Sequence, residues 1–528
     1  MDNRSIISML YQIGNSMMPL KKLVRFFCKI FLYTPMLFLV YCGNPRSNKP
    51  HTHPPNILFI LADDQRYDLI HALGNKEIIT PNLDELISRG TTFYNTYIMG
   101  AMNGAVCAPS RAMIITGRSL FDINPYAGDE LDMPDTLLAE ALLLNDYTTF
   151  HTGKWHNGEK AFLKGFVQGS KIFFGGMSDH YQVPTKDLYA NHQLSKVKID
   201  STHSSVLFAS AAEKFIREYD KSNPFFLQVS FTAPHDPRNM PQKYLDLYDN
   251  VEINIPPNFM ANHPFDNGEL DIRDEWLAGY PRTRAEIKAN ILAYYAMISH
   301  MDEQIGKIIQ SLDENGLREN TIIVFTSDNG LAVGQHGLMG KQNLYEHSIK
   351  VPLIIQGPGI PEGMKDNRLV YTTDLFPTIC DLTGTKKSKS LDGISLVGTF
   401  KNRKSTERTS LIFAYKNSQR AIRKGKFKLI EYLVKGQKTG QLFNLKSDPW
   451  EIENLYEVQE FDSKKIELQN ELQKQLTKYN DQVVLSSEYW NVKPISSWIK
   501  KVSPSTIDKL RKLAQRDREL RGFFETAK

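Results

Sequence analysis

The order of apolar and polar positions divides the chain into a leader, a long body and a shorter tail. In the body, continuous apolar runs recur: ILFILA at 57–62, a short run at 148–151, FFLQVSF at 225–231, TIIVF at 321–325 and a last run at 353–356. These runs lack the in–out alternation of a strand with one wet face, so they predict strands buried on both sides. Amphipathic stretches at 134–144, 204–219 and 284–312 lie between them with helical periodicity. Alternation of the two kinds predicts an α/β domain over 56–400, a mostly parallel sheet flanked by helices. Near residue 400 the pattern changes. Short β-like runs at 410–415, 420–423, 427–432 and 441–444 are separated by Gly and Lys turns, and helical stretches follow at 463–479 and 505–521. Residues 401–528 therefore read as a smaller C-terminal α+β subdomain built on an antiparallel sheet.

Composition adds the class of protein. At 528 residues, 41% hydrophobic and 23% charged, the chain is a large globular protein, neither disordered, fibrous nor polytopic in a membrane. Its net charge of +5 says little about partners, because Arg4, Lys21, Lys22, Arg25 and Lys29 against Asp2 place most of it before residue 42. No nucleic-acid partner is expected on that ground. The same leader reads as a signal peptide over 1–41: lysines and an arginine at 21–29, the apolar stretch IFLYTPMLFLVY at 30–41, then Cys42. An uncleaved anchor helix is the other reading. The ending Leu39-Val40-Tyr41-Cys42 resembles a relaxed bacterial lipoprotein box, with Cys42 as the lipidated residue and a Pro-rich tether over 42–55. Export to the periplasm, the outer membrane or the cell surface is the expectation. Cys28 and Cys42 lie in the leader, leaving Cys107 and Cys380, so the body is not a disulfide scaffold. Cys380, in the apolar-periodic DLFPTICDLTG segment, reads as core.

The chemistry collects after the strands. ILFILA runs into Asp63-Asp64, TIIVF into Ser327-Asp328-Asn329-Gly330, the 148–151 run into Gly153-Lys154-Trp155-His156, and FFLQVSF into Ala233-Pro234-His235-Asp236-Pro237. Open α/β sheets bind ligands beyond the carboxyl ends of their strands, so these four ends imply one shared site. Asp63, Asp64, Asp328 and Asn329 offer only oxygen, which suits a hard cation, Ca2+ or Mg2+. Ordinary turn residues are the other reading of each pair. Cys107 opens Cys107-Ala108-Pro109-Ser110-Arg111, and Pro109 suits the first turn of a helix. A helix N-terminus with an arginine one turn on predicts an anion site, and it is also the setting of a reactive thiol.

Cys107–Arg111 resembles the C-x-P-S-R signature of type I sulfatases, in which the cysteine is oxidised to formylglycine. Thr116-Gly117-Arg118, Gly153–His156, the 56–64 strand, Ser327–Gly330 and Asp448-Pro449-x-Glu451-x-x-Asn454-Leu455 are similar to further elements of that family, in the same order. The resemblance implies an alkaline-phosphatase-like fold and one Ca2+ held by Asp63, Asp64, Asp328 and Asn329. It implies formylglycine at 107 with Arg111 supporting its hydrate, Lys154 and Lys341 clamping sulfate, His156 handling the proton of the hydrate's second hydroxyl, whose loss releases sulfate, and His235 acting as general acid. Lys341, in GQHGLMGK at 334–341, also reads as a solvated loop lysine. A separate formylglycine-generating enzyme becomes a required partner. The implied substrate is sulfated carbohydrate, such as ulvan, carrageenan, fucan or glycosaminoglycan fragments, taken one sugar at a time. Arg238, next to His235, is placed to contact the sugar. The long polar insertion 256–284, with His263, Asp266, Trp276 and Arg284, is expected to shape specificity, and Ser178 and His180 to line the pocket. Three rival readings remain: a formylglycine phosphate or phosphonate ester hydrolase, a non-catalytic sugar-binding lipoprotein, and a cysteine hydrolase using Cys107 with His156.

Overall fold

Five parallel strands form the centre of the larger sheet, in the order Thr321–Ser327, Asn56–Ala62, Phe225–Ser230, Thr148–Lys154 and Gln168–Phe173. The computed structural model describes residues 54–123, 130–401 and 407–481. The leader, Cys42, most of the tether and the helix expected at 505–521 lie outside the described residues. Every residue of Asn56–Ala62 is buried, and its side chains alternate between two cores. Ile57, Phe59 and Leu61 point into one cluster with Met113, Leu142 and Ile379, while Leu58, Ile60 and Ala62 point into the other with Phe208, Ala212 and Ile298. Both faces are thus covered by helices, which is why the sequence run is apolar throughout. Each fully buried Leu, Ile or Phe of this kind contributes about 1.5–3 kcal/mol of transfer free energy.

Antiparallel strands extend the sheet on both sides. Leu353–Gln356 runs against Thr321–Ser327, not along it, because only the four-residue helix Glu346–Ile349 and the short strand Lys350–Val351 intervene. A parallel return requires a crossover to the opposite end of the strands. The chain from 328 to 352 instead leaves and re-enters the sheet at one end. Four strands of this sheet were not revealed by the apolar pattern: Thr91–Tyr97, Gln168–Phe173, Pro184–Leu188 and Met364–Tyr371, the last lying off the main strand order against Thr91–Tyr97. They are rich in Thr, Lys, Asp and Asn and only partly buried, so they carry no strong signature.

The smaller sheet is antiparallel, in the order Gln437–Asn444, Phe427–Val434, Gln419–Lys424 and Ser410–Tyr415, as expected. Gly100–Ala101, from the N-terminal half, adds a parallel edge to it. Its Phe413, Ile422, Ile430 and Leu442 join the same apolar cluster as Phe93 and Met113, so the two sheets share a core. Helix Asp462–Lys478 packs Leu468, Leu472 and Leu476 into that cluster.

Candidate active site

Strand register explains why the chemical groups meet. Leu61 pairs with Thr326 on one side and Ser230 on the other, and Ser230 pairs with Gly153. The residues that follow, Asp63, Asp328, His235 and Lys154, therefore emerge at one end of the sheet. Backbone bonds continue the alignment, from Asp63 N to Ala233 O at 3.1 Å and from Asp328 N to Ala62 O at 3.2 Å. Asp64 then turns with φ 72°, a left-handed conformation that a short carboxylate side chain tolerates.

Four buried cationic and amide groups engage the carboxylates. Lys154 Nζ donates to Asp63 Oδ2 at 2.6 Å, and Lys341 Nζ to Asp64 Oδ1 at 2.5 Å. Arg111 Nε donates to Asp328 Oδ2 at 2.8 Å and its Nη1 to the Lys154 carbonyl at 2.7 Å. Asn329 Nδ2 reaches Asp64 Oδ1 at 2.7 Å. Burial pushes the Asp63 carboxyl up, but Lys154, His235, Arg111 and Lys341 together hold it well below the usual carboxylate range. Asp328 is pushed up to about 6 by burial and by Asp63, against Arg111 and Lys154.

Cys107 is the first residue of helix Cys107–Thr116, with Val106 as its N-cap and no side chain capping the amides. Its Sγ receives Lys341 Nζ at 2.8 Å and lies 3.7 Å from Asp64 Oδ1. Burial raises the thiol well above its ordinary pKa despite Lys154 and Lys341, so the group is not a resting thiolate. Two of the signature-like segments prove to be fastenings. Gly117 ends the helix at φ 65°, where a Cβ would stand 2.7 Å from Leu391, and Arg118 pairs with Asp392 at 3.0 Å. Glu451 accepts from Glu346 N at 2.7 Å and pairs with Lys428 at 2.8 Å, tying the chain that follows Asp328 to the small sheet.

His235 Nδ1 is 2.7 Å from the Asp236 carbonyl, leaving Nε2 to face Asp64 Oδ2 at 3.6 Å. His180, expected at the pocket wall, instead sits buried behind it, its Nε2 bonded to the His235 carbonyl at 2.9 Å and its Nδ1 to Ser204 at 2.7 Å. His156 turns with φ 65° and is half-buried. Burial, Lys154 and Arg111 lower its pKa well below the ordinary value, so it is neutral at neutral pH.

A cavity of about 240 Å³ opens on these groups, lined by Cys107, His156, His235 and Lys341 and also by Glu269, Arg273, Asp274, Gln342 and Lys416. The insertion does shape it, but through other residues than those the sequence singled out. Trp276 bonds Asp271 at 2.9 Å and packs on the core, His263 bonds the Phe265 carbonyl at 2.6 Å, Asp266 pairs with Lys435 at 2.6 Å, and Arg284 lies over Phe259. None of the four lines the cavity, and neither does Ser178. Arg238 also requires correction. It is 1% exposed, gives Nη1 to Asn290 at 2.7 Å and lies over the Tyr294 ring, so packing on helix Arg284–Glu314 holds it away from the cavity. No sequence signal marked Glu269, Arg273 or Asp274 over other charged residues of the insertion.

Four of the site's side chains could hold a metal ion. Ligand atoms of Asp63, Asp64, Cys107 and His235 lie within 4.8 Å of one another, and Asp63 Oδ1 and Asn329 Oδ1 are buried without a hydrogen-bond donor among the described residues. Buried oxygens left unpaired are costly unless an ion or water takes them. Asp328 differs, since its Oδ1 already accepts from the amides of Asp64 at 3.1 Å and Asn329 at 2.9 Å.

Comparison with known proteins gives a consistent picture. The Sulfatase family description matches residues 55–385, and that of the N-sulphoglucosamine sulphohydrolase C-terminal region matches 334–482. The chain is 25% identical to an N-acetylglucosamine-6-O-sulfatase of Bacteroides thetaiotaomicron over 520 residues, covering 84% of this chain and 90% of that protein. It is 31% identical to the choline-sulfatase of Rhizobium meliloti, covering 77% and 83%. Its fold matches, with a TM-score of 0.70 at 23% identity, a structure solved in complex with its substrate D-glucosamine-2-N,6-O-disulfate, covering 81% of this chain and 98% of that one.

Proposed function

The chain belongs to the sulfatase family and is a sulfuric ester hydrolase, and we propose that it removes a single sulfate from a sugar carrying it on the 6-position, after Cys107 has been oxidised to formylglycine. The observation that carries this reading is the position of Cys107. Its Sγ lies at a helix N-terminus, 2.8 Å from Lys341 Nζ and on the wall of the cavity, where the reactive oxygen of a formylglycine would stand. A sugar substrate is supported by the carboxylate, amide and amine groups that line the cavity. The raised thiol pKa speaks against Cys107 acting as a thiolate nucleophile.

Asp63, Asp64, Asp328 and Asn329 would hold a Ca2+ ion, which supplies positive charge to the sulfate oxygens. Lys154 and Lys341 bind those oxygens and oppose the negative charge that grows on them as the S–O bond breaks. Arg111 braces Asp328 and the Lys154 backbone. The hydrated aldehyde at 107 provides the attacking oxygen. Once the sugar has left, His156, neutral at neutral pH, accepts the proton of the second hydroxyl on residue 107, the C–O bond to the sulfate breaks, and sulfate departs as the aldehyde re-forms. His235, with Nδ1 held by the Asp236 carbonyl, delivers a proton from Nε2 to the departing sugar oxygen. We also propose that the leader exports the protein and that lipid on Cys42 tethers it to a membrane, on the strength of the basic–apolar–cysteine order alone; both segments lie outside the described residues.

Protein purified from a host with a formylglycine-generating enzyme should show the aldehyde mass in the peptide containing residue 107. It should release sulfate from N-acetylglucosamine 6-sulfate faster than phosphate from the matching phosphate ester. Cys107→Ala should abolish the release. Preferred turnover of the phosphate ester, or an unmodified thiol in an active enzyme, would sink the reading.

A further inference from the structure

Beyond the groups assigned to sulfate, the cavity wall is unusual in how its charges are already spent. Lys416, on the turn between Ser410–Tyr415 and Gln419–Lys424, donates to Glu269. Arg273 grips both oxygens of Asp236, with Nη1 at 2.9 Å from Oδ1, and also gives Nη1 to Asp274 Oδ1 at 2.6 Å. Gln342 donates to Asp274 Oδ2 at 2.7 Å. Two cations of the lining thus face two carboxylates of the lining, with Asp236 behind Arg273, so both Lys416 and Arg273 are already paired. Ile272 and Met177 add apolar surface to the same wall.

We propose that this wall makes the enzyme selective for a sugar whose only anionic group is the sulfate being removed, with Glu269 and Asp274 as the residues that turn away a second sulfate or carboxylate on the same ring. The inference rests on the sulfate-ester reading above. A second anion needs a cation to receive it, and both cations of this wall are held by carboxylates that would repel it. Hydroxyl and amide N–H groups, by contrast, can donate to the remaining lone pairs of Glu269 and Asp274. Ile272 and Met177 offer the apolar contact that the methyl of an acetamido group covers and a sulfamate does not. Selectivity here arises as much from repulsion of the wrong ligand as from contact with the right one.

The test compares kcat/KM of the matured enzyme for N-acetylglucosamine 6-sulfate and for glucosamine 2-N,6-O-disulfate. One like charge at the distance of a ring substituent, partly screened, should favour the monosulfated sugar by about tenfold. The double variant Glu269→Gln, Asp274→Asn should narrow that ratio. Lys416→Met, which frees Glu269 from its partner, should widen it. Each comparison is a ratio of two substrates on one preparation, so loss of folded protein cancels. Equal or better turnover of the disulfate by the native enzyme, or shifts of the ratio in the opposite sense, would overturn the inference while leaving the sugar-sulfatase reading standing. Release of sulfate from neither sugar, with the aldehyde present, would overturn both.

Discussion

Lys341 and Arg238 show how differently two basic residues can turn out. Lys341 lies in a glycine-rich loop segment in which nothing local distinguishes it from a solvated lysine, yet its Nζ is 2.5 Å from Asp64 and 2.8 Å from Cys107 Sγ. Burial should lower its pKa, but Asp64 and the groups around it raise it well above the ordinary value, so it stays charged. Lys341→Ala should cut kcat by about 10²–10³, the usual effect of removing one charge-stabilising donor, with the circular dichroism spectrum unchanged. Arg238 follows His235 by three positions, and proximity along the chain suggested a substrate contact. The structure buries it against Asn290 and Tyr294. Arg238→Ala should therefore leave KM for a small sugar sulfate within about twofold while lowering the unfolding free energy by about 1–3 kcal/mol, because the buried hydrogen bond to Asn290 is lost. Chemical denaturation alongside Michaelis kinetics separates the two effects. Residue type singled out Asp63, Asp64, Cys107 and His235, which the fold brings together, but the direction in which a side chain leaves a loop is decided by what the loop packs on.

Among the elements, the strands that carry the site were legible because they are apolar throughout, and the helices because they are periodic. The polar strands such as Thr91–Tyr97 and Met364–Tyr371 were not, since they are recognised only by the partner they pair with. One helix start depends on a buried charge. Asp302, on helix Arg284–Glu314, accepts from Asn82 N at 3.1 Å and Leu83 N at 2.8 Å, satisfying the first amides of helix Pro81–Arg89. Burial outweighs those bonds and pushes the carboxyl up from 3.8 to about 6. The folded state then holds this proton more tightly than the unfolded chain, so the group's contribution to stability falls as pH rises from about 4 to about 6. The change amounts to about 3 kcal/mol at most. Asp302→Asn removes the titration, and its unfolding free energy should fall less steeply across that interval than the native protein's. Parallel slopes for the two proteins would show that Asp302 does not titrate there.

On the scale of the whole molecule, the site is a junction. The large sheet supplies the carboxylates and Lys154, helix Cys107–Thr116 supplies Cys107 and Arg111, the chain after Asp328 brings Lys341, and the insertion and small sheet close the cavity with Arg273, Asp274 and Lys416. A cation bound among Asp63, Asp64, Asp328 and Asn329 would link several of these parts. Chelation should lower both activity and the melting temperature, and added Ca2+ should restore them. Saturation at about a hundredfold above Kd is worth about 2.7 kcal/mol of stability. A melting temperature indifferent to chelator and to Ca2+ would argue that Lys154 and Lys341 alone neutralise the carboxylates. By itself the sequence determined the two-sheet architecture and the cluster of oxygen, nitrogen and sulfur groups beyond the strand ends, because those depend on hydrophobic periodicity and on what directly follows a strand. Only the tertiary structure decided that Lys341 reaches Cys107, that Arg238 is buried, and that Glu269, Arg273 and Asp274 face the cavity. The last three lie in a long insertion without periodicity, where the orientation of each side chain is set by contacts with residues far away in the chain.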